Sequence, residues 1–146
     1  MPHEGEKTPA PRIVPFLSYE DVGAAMAWLH DAFGFEERFR ITEPDGAVTH
    51  GDMQLEGGVI FLGPGGPRYE GPRRHAETCA ASARWRDTPY VIDGVYAMVA
   101  DVDAHHRRAV AAGAKVLSDP EDTDHGERIY RVEDLDGHRW MFGTPL

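Results

Sequence analysis

The chain has 146 residues, enough for one domain with a full core or for two small modules sharing one. Its formal net charge of -10 argues against nucleic acid or an anionic membrane as a main partner, and no apolar run reaches the length of a membrane-crossing helix. The single cysteine, Cys79, excludes an intrachain disulfide, and the opening MPHEGEKTPAPR lacks the apolar core of a signal peptide, so the cytoplasm is the expected compartment.

Residues 1–11 read as a solvated, disordered tail. Ile13 to Tyr19 (IVPFLSY) is an apolar strand, with Pro15 tolerated near a sheet edge. Glu20-Asp21 opens a helix, with Asp21 as its cap. Val22, Ala25, Trp28, Leu29, Ala32 and Phe33 recur at helical spacing as the buried stripe, and Gly34 ends the helix. Phe35 to Thr42 is a strand with charges on one side. Glu43-Pro44-Asp45-Gly46 is a hairpin turn, Ala47 to Leu55 the returning strand, and Val59 to Leu62 a short buried strand after the Glu56-Gly57-Gly58 turn. Strand, helix and three strands make a first module over 12–63.

Residues 64–93 interrupt the pattern as a linker. GPGGPRYEGP is a loop, Arg74 to Arg86 a short helix with Cys79, Ala83 and at the margin Trp85 turned inward, and Thr88-Pro89 its stop. The pattern then recurs over 94–146. Gly94 to Ala100 is an apolar strand, and Asp101 caps a helix with Val102, His105 or His106, Ala109 and Ala112 inward, closed by Gly113. Ala114 to Ser118 is a strand, Asp119 to Gly126 an acidic loop, and Arg128 to Glu133 with His138 to Phe142 a final hairpin around Leu135-Asp136-Gly137-His138. Asp21-Val22 corresponds to Asp101-Val102, Phe33-Gly34-Phe35 to Ala112-Gly113-Ala114, and Gly58 to Gly137. All lie about 80 residues apart, the mark of an internal repeat.

Three stretches, YEDVGAAMAWLHDAFGF, GVYAMVADVDAHHRRAVAAGAKV and YRVEDLDGHRWMFG, in order and at module spacing, give the chain a resemblance to the vicinal oxygen chelate superfamily. That superfamily includes glyoxalase I, extradiol dioxygenases and bleomycin-resistance proteins. The chain looks most like its PhnB-like, glyoxalase-related branch. The resemblance covers roughly Arg12 to Gly143. It implies an α+β fold of two tandem βαβββ modules, each contributing half of a curved, cup-like mixed sheet, and pairing as a homodimer.

Metal-using members of that family carry one His, Gln or Glu on the first and last strand of each module, which suits a divalent cation with open positions for substrate oxygens. Carried over by counting, these positions are Val14, Phe61, Val95 and Met141, none a nitrogen or oxygen donor. Neighbouring residues offer only Tyr96, a weak ligand. The expectation is therefore a metal-independent protein without a cofactor. The histidines do not restore a site: His105 and His106 are adjacent on a helix, His30 lies among exposed helical positions, His125 in the acidic loop, and no pair has zinc spacing.

In AVTHGDMQL, Met53 and Leu55 share the face that packs beneath the helix, which turns His50, Asp52 and Gln54 to the opposite face as a recognition patch. A polar outer surface is the competing reading. His50, with a reference pKa near neutrality, is the candidate general acid or base. Phe16, Phe61 and Met141 make a greasy floor that suits an aromatic or amphipathic ligand, or equally a filled core. Arg128 and Tyr130 are candidate anchors for a ligand carboxylate or phosphate. Repeat alignment instead turns Ile129 and Arg131 inward, and the phase of this strand stays open. Trp28, Trp140 and Phe142 read as helix–sheet core.

The function expected is a glyoxalase- or bleomycin-resistance-like protein that binds a small aromatic or amphipathic molecule and sequesters a drug or toxic metabolite. The alternative is an enzyme of the same superfamily (lyase, isomerase or dioxygenase), metal-free with His50 as acid or base, or metal-dependent through other ligand positions.

Overall fold

The computed structural model describes residues 9–87 and 94–146. The expected tail up to residue 8 and the Thr88-Pro89 helix stop lie outside the described residues. Two compact units divide between Tyr69 and Glu70, so the stretch expected as a linker is split between them.

The first unit has the order β1 (Phe16–Tyr19), α1 (Val22–Phe33), β2 (Glu36–Thr42), β3 (Val48–Leu55), β4 (Gly58–Pro64). Its four-stranded mixed sheet runs β1-β4-β3-β2, with β1 parallel to β4 and the other pairs antiparallel. β1 is shorter than the sequence suggests: Pro15 stands outside it, its carbonyl accepting from Phe61 N at 3.0 Å. The Asp21 carboxylate caps α1 by accepting from Ala24 N at 3.0 Å, and Gly34 closes it at φ 84°, a left-handed backbone that glycine adopts without strain. The apolar stripe of α1 buries Val22, Ala25, Met26, Leu29, Ala32 and Phe33 against Met53, Ile60 and Leu62 of the sheet. Trp28, expected in this core, is only part-buried and meets Phe33 edge-on. A β-carbon at Gly51 would stand 2.7 Å from Met26 Sδ, so the missing side chain lets the helix approach β3.

The second unit repeats the plan. It holds β5 (Val95–Met98), α4 (Val102–Ala111), β6 (Lys115–Asp122), β7 (Glu127–Glu133) and β8 (Arg139–Pro145), in sheet order β5-β8-β7-β6. Phe16 pairs with Phe61, and Tyr96 with Met141, the second pair lying 80 positions after the first, so the repeat is the same in register as in sequence. At that offset the partner of Gly137 (φ 96°) is Gly57 (φ 87°) rather than Gly58. Asp101 caps α4 through Ala104 N at 3.1 Å. Two expectations change here. The acidic loop is confined to residues 123–126: β6 runs on to Asp122 because its backbone pairs with β7, and the Arg128 guanidinium offsets the Asp122 carboxylate at 3.0 Å. The single helix over 74–86 is two, α2 (Pro72–Ala76) and α3 (Ala80–Arg86), broken where Cys79 takes an extended backbone. Neither buries an apolar residue, and Trp85 is 58% exposed.

What holds α2 and α3 is polar. Glu133, 2% exposed, accepts from Arg86 Nη2 at 2.5 Å and Arg73 Nη2 at 3.3 Å. Arg73 also donates to the carbonyls of Asp134 (2.7 Å) and Leu135 (3.1 Å), and Arg86 to that of Gly137 (3.2 Å). Both arginines thus grip the β7–β8 turn. The turn itself is built on Asp134, wholly buried. Its Oδ1 accepts from the backbone N–H groups of Asp136, Gly137 and His138 at 3.0–3.1 Å, and its Oδ2 from the Trp140 indole at 3.0 Å. A buried carboxylate is tolerable only with this degree of hydrogen bonding.

Candidate functional site

In the first unit, strand register settles which residues share a face. Asp52 lies beside Phe61, Gln54 beside Val59, and Phe61 beside Phe16, whereas Gly51 and Met53 lie beside Leu62 and Ile60 under α1. Phe16, His50, Asp52, Gln54 and Phe61 therefore sit together on the face away from the helix. His50 meets Phe61 edge-on at 5.2 Å between centroids and Phe39 at 6.2 Å. Phe16 is 61% exposed.

Arg38 and Phe39 are the residues of this face that the sequence reading missed. Strict alternation along β2 would send them to opposite sides. A bulge between Glu37 and Phe39 adds one residue, so Phe39 pairs with Asp52 while Arg38 also reaches it. Arg38 Nη1 donates to Asp52 Oδ1 at 3.3 Å, with the two side chains 7% and 0% exposed. An ion pair this dry is fixed in place. Arg38 and Gln54 then line a cavity of about 510 Å³ with Val59, Gly57 and the segment Pro9–Pro11. His50, Asp52 and Phe61 adjoin it on the same face without lining it.

In the second unit the two phases proposed for β7 separate. Tyr130 lies beside Phe142 on the helix side, wholly buried, its hydroxyl 2.6 Å from His105 Nδ1 of α4. Arg128 shares that side, with its Nε donating to Asp103 at 3.1 Å. These two turn away from the open face because α4 supplies their partners. Ile129 and Arg131 occupy the open face instead, Arg131 beside Met141 and Met141 beside Tyr96. Val95, reached by counting as a ligand position, pairs with the buried Trp140, so its open-face neighbour Tyr96 is the structural equivalent. His105, one of the two histidines expected on the inward side of α4, packs with its ring centroid 4.1 Å from that of Phe142.

The Tyr96 hydroxyl donates to Glu127 Oε1 at 2.9 Å, and burial, that bond and the carboxylate charge push its pKa up to about 12. Burial also raises that of Tyr130. Between pH 10, where an unfolded tyrosine ionises, and pH 12 the folded chain keeps the Tyr96 proton that the unfolded chain loses, so stability falls as pH rises through that window. We expect an ultraviolet titration to show Tyr96 and Tyr130 ionising above the normal range, and Tyr96→Phe to flatten the alkaline loss of stability. Normal titration of every tyrosine would contradict the Glu127 bond.

The positions carried over from the resemblance offer a divalent cation no imidazole or carboxylate. Of the positions carried over by counting, Phe61 pairs with Phe16 and Met141 with Tyr96, while Val14 lies before β1. Among the described residues no three of His, Cys, Asp or Glu are grouped to hold a metal ion. No described helix is long and apolar enough to cross a membrane.

The sequence pattern of the Glyoxalase/Bleomycin resistance protein/Dioxygenase superfamily matches residues 12–142. This chain belongs to that superfamily. Among solved structures it is similar to TioX from Micromonospora sp. ML1, at 31% identity and TM-score 0.68, over 93% of this chain and 97% of TioX. An uncharacterised protein of Mycobacterium tuberculosis (strain ATCC 25618 / H37Rv) is 32% identical over 136 residues, 93% of this chain and 75% of that protein. The fosfomycin resistance protein FosX from Listeria monocytogenes, in complex with Mn(II) and 1S,2S-dihydroxypropylphosphonic acid, shares the fold at 14% identity and TM-score 0.59, over 89% of this chain and 86% of FosX. The two four-stranded mixed sheets with their helices are the α+β glyoxalase fold.

Proposed function

We propose that this member of the glyoxalase superfamily binds a small aromatic or amphipathic molecule without a metal ion, sequestering a drug or a toxic metabolite. The observation that carries the reading is the dry Arg38–Asp52 pair beside a cavity of about 510 Å³. Small-molecule sites span roughly 300–1,000 Å³ and combine apolar walls with a few fixed polar groups. Arg38 and Gln54 are the polar groups here. Phe16, Phe39, His50 and Phe61 extend the same face with rings on which an aromatic ligand stacks. Met141 contributes an apolar surface in the second unit. A homodimer in the cytoplasm belongs to the same proposal.

The test is calorimetric titration with bleomycin and a panel of aromatic antibiotics, with and without EDTA. Saturable binding that EDTA leaves unchanged is the expected result, weakened roughly three- to tenfold by Gln54→Ala, the loss of one hydrogen bond. Binding that vanishes in EDTA and returns with manganese overturns metal independence. Conversion of a bound molecule, lost in a folded His50→Ala variant, makes the protein an enzyme with His50 as its acid or base.

A further inference from the structure

A second cavity, of about 420 Å³, lies wholly in the second unit. Its walls include Ser82, Trp85, Arg86, His138 and Arg139, with two guanidiniums and no carboxylate among the lining residues. The sequence reading gave this stretch no role beyond a linker helix and a turn. It goes beyond the site proposed above, sharing no residue with it.

Three features suit the cavity to a ligand of definite chemistry. The first is Trp85: a large aromatic side chain that is 58% exposed on a short helix stabilises no core, yet offers an indole face at the cavity wall. The second is that the guanidiniums are held rather than mobile. Arg86, with its side chain 15% exposed, is fixed by Glu133 Oε1 and the Gly137 carbonyl, and Arg139 donates to the Arg86 carbonyl. Those two bonds use two of the five N–H donors of the Arg86 guanidinium. A donor set fixed in advance loses little entropy on binding. The third is the rim: the Ser82 hydroxyl and the His138 imidazole add short-range polar contacts.

We propose that this cavity is a binding site for a planar aromatic carboxylate, the ring stacked on Trp85 and the carboxylate held by Arg139 and Arg86. A carboxylate accepts from a guanidinium through two parallel bonds, and the cavity is large enough to admit a ring of one or two fused cycles. A polyanion is disfavoured by the net charge of -10, whereas a singly charged small molecule meets the Arg139 guanidinium and an Arg86 guanidinium paired with Glu133 behind it.

The test uses 2-naphthoate, with 2-naphthalenemethanol as the uncharged comparator, followed by nuclear magnetic resonance of the three tryptophan indole N–H groups in the full chain. The Trp85 resonance is assigned by Trp85→Phe. We expect it to shift saturably with naphthoate while those of Trp28 and Trp140 hold, and the alcohol to bind about tenfold more weakly for want of a charge-assisted bond. Trp85→Ala, at an exposed position that leaves the core intact, weakens naphthoate binding about tenfold by calorimetry, a readout that does not depend on the indole signal. Arg139→Gln weakens it about tenfold. Gln54→Ala leaves it unchanged, which separates this site from the one in the first unit. Equal affinity for acid and alcohol overturns the proposal, as does an unshifted Trp85 or a response confined to the surroundings of His50 and Gln54.

Discussion

Arg38→Met is expected to destabilise the first unit by roughly 3–5 kcal/mol, because it takes the Arg38 cation away from the Asp52 carboxylate in a site with no solvent exposure. The cost is not the value of the pair. In water both ions are hydrated, and burying them together is close to neutral. Removing one partner leaves the desolvation of the other uncompensated. The double substitution Arg38→Met with Asp52→Asn takes away both charges and is expected to recover much of the loss, so the two changes are non-additive. The measurement is chemical denaturation of the four proteins in the cycle. Additive losses would mean that the carboxylate is satisfied by other groups and that Arg38 is not its essential partner. The same variant bears on ligand binding, because Arg38 lines the cavity. With the double variant folded, a loss of ligand affinity in calorimetry assigns the guanidinium a binding role apart from its structural one.

Asp134→Ala is expected to cost a similar roughly 3–5 kcal/mol, at the top of what single substitutions do, through a different mechanism. Here one carboxylate serves three backbone N–H groups and one indole N–H. Its loss takes the acceptor from Asp136 N, His138 N and the Trp140 indole, while Gly137 N keeps the Asp134 carbonyl at 3.0 Å, inside the turn on which Arg73 and Arg86 close. Each buried donor left unsatisfied costs about 1–3 kcal/mol, and relaxation of the turn returns part of it. Asp134→Asn is the informative companion. Its amide oxygen still accepts from the three backbone groups, but its NH₂ now faces the Trp140 indole, donor against donor. We therefore expect an intermediate loss, with the near-ultraviolet dichroism of Trp140 altered and the fold retained. If Asn and Ala were equally damaging, charge rather than hydrogen-bond count would be what the turn requires. A thermal shift on the order of 10 °C for Asp134→Ala would accompany the predicted loss in a chain of this size.

Some of this arrangement is legible in the sequence because it depends on local chemistry. Asp21 and Asp101 precede apolar stripes at helical spacing, Gly34 follows the first, and the two halves repeat at a fixed offset. From these the two βαβββ modules and the α+β class follow. So does the shared face of His50, Asp52 and Gln54, because strand alternation has a period of two and β3 holds its register across that stretch. The lack of donors at Phe61 and Met141 is likewise a property of residue identity alone.

Other features depend on which strand lies beside which, and sequence periodicity carries no record of that. The bulge in β2 brings Arg38 and Phe39 to one face, so the cavity-lining arginine is invisible to an alternating pattern. In β7 the phase was ambiguous because both Arg128-Tyr130 and Ile129-Arg131 are amphipathic pairs. The choice belongs to α4, whose Asp103 and His105 receive Arg128 and Tyr130. The acidic run after Ser118 reads as a loop until β7 supplies hydrogen bonds and an arginine. The segment carrying Arg73, Trp85 and Arg86 has little apolar periodicity, yet it is ordered through Glu133 and the carbonyls of a turn about 50 to 60 residues away. The sequence by itself determined the elements, the repeat and the faces of regular strands, because each follows from contacts within a few residues. Only the tertiary structure decided the cavity walls and the partners of the buried charges, because a charge is made tolerable by whatever distant group the fold sets beside it.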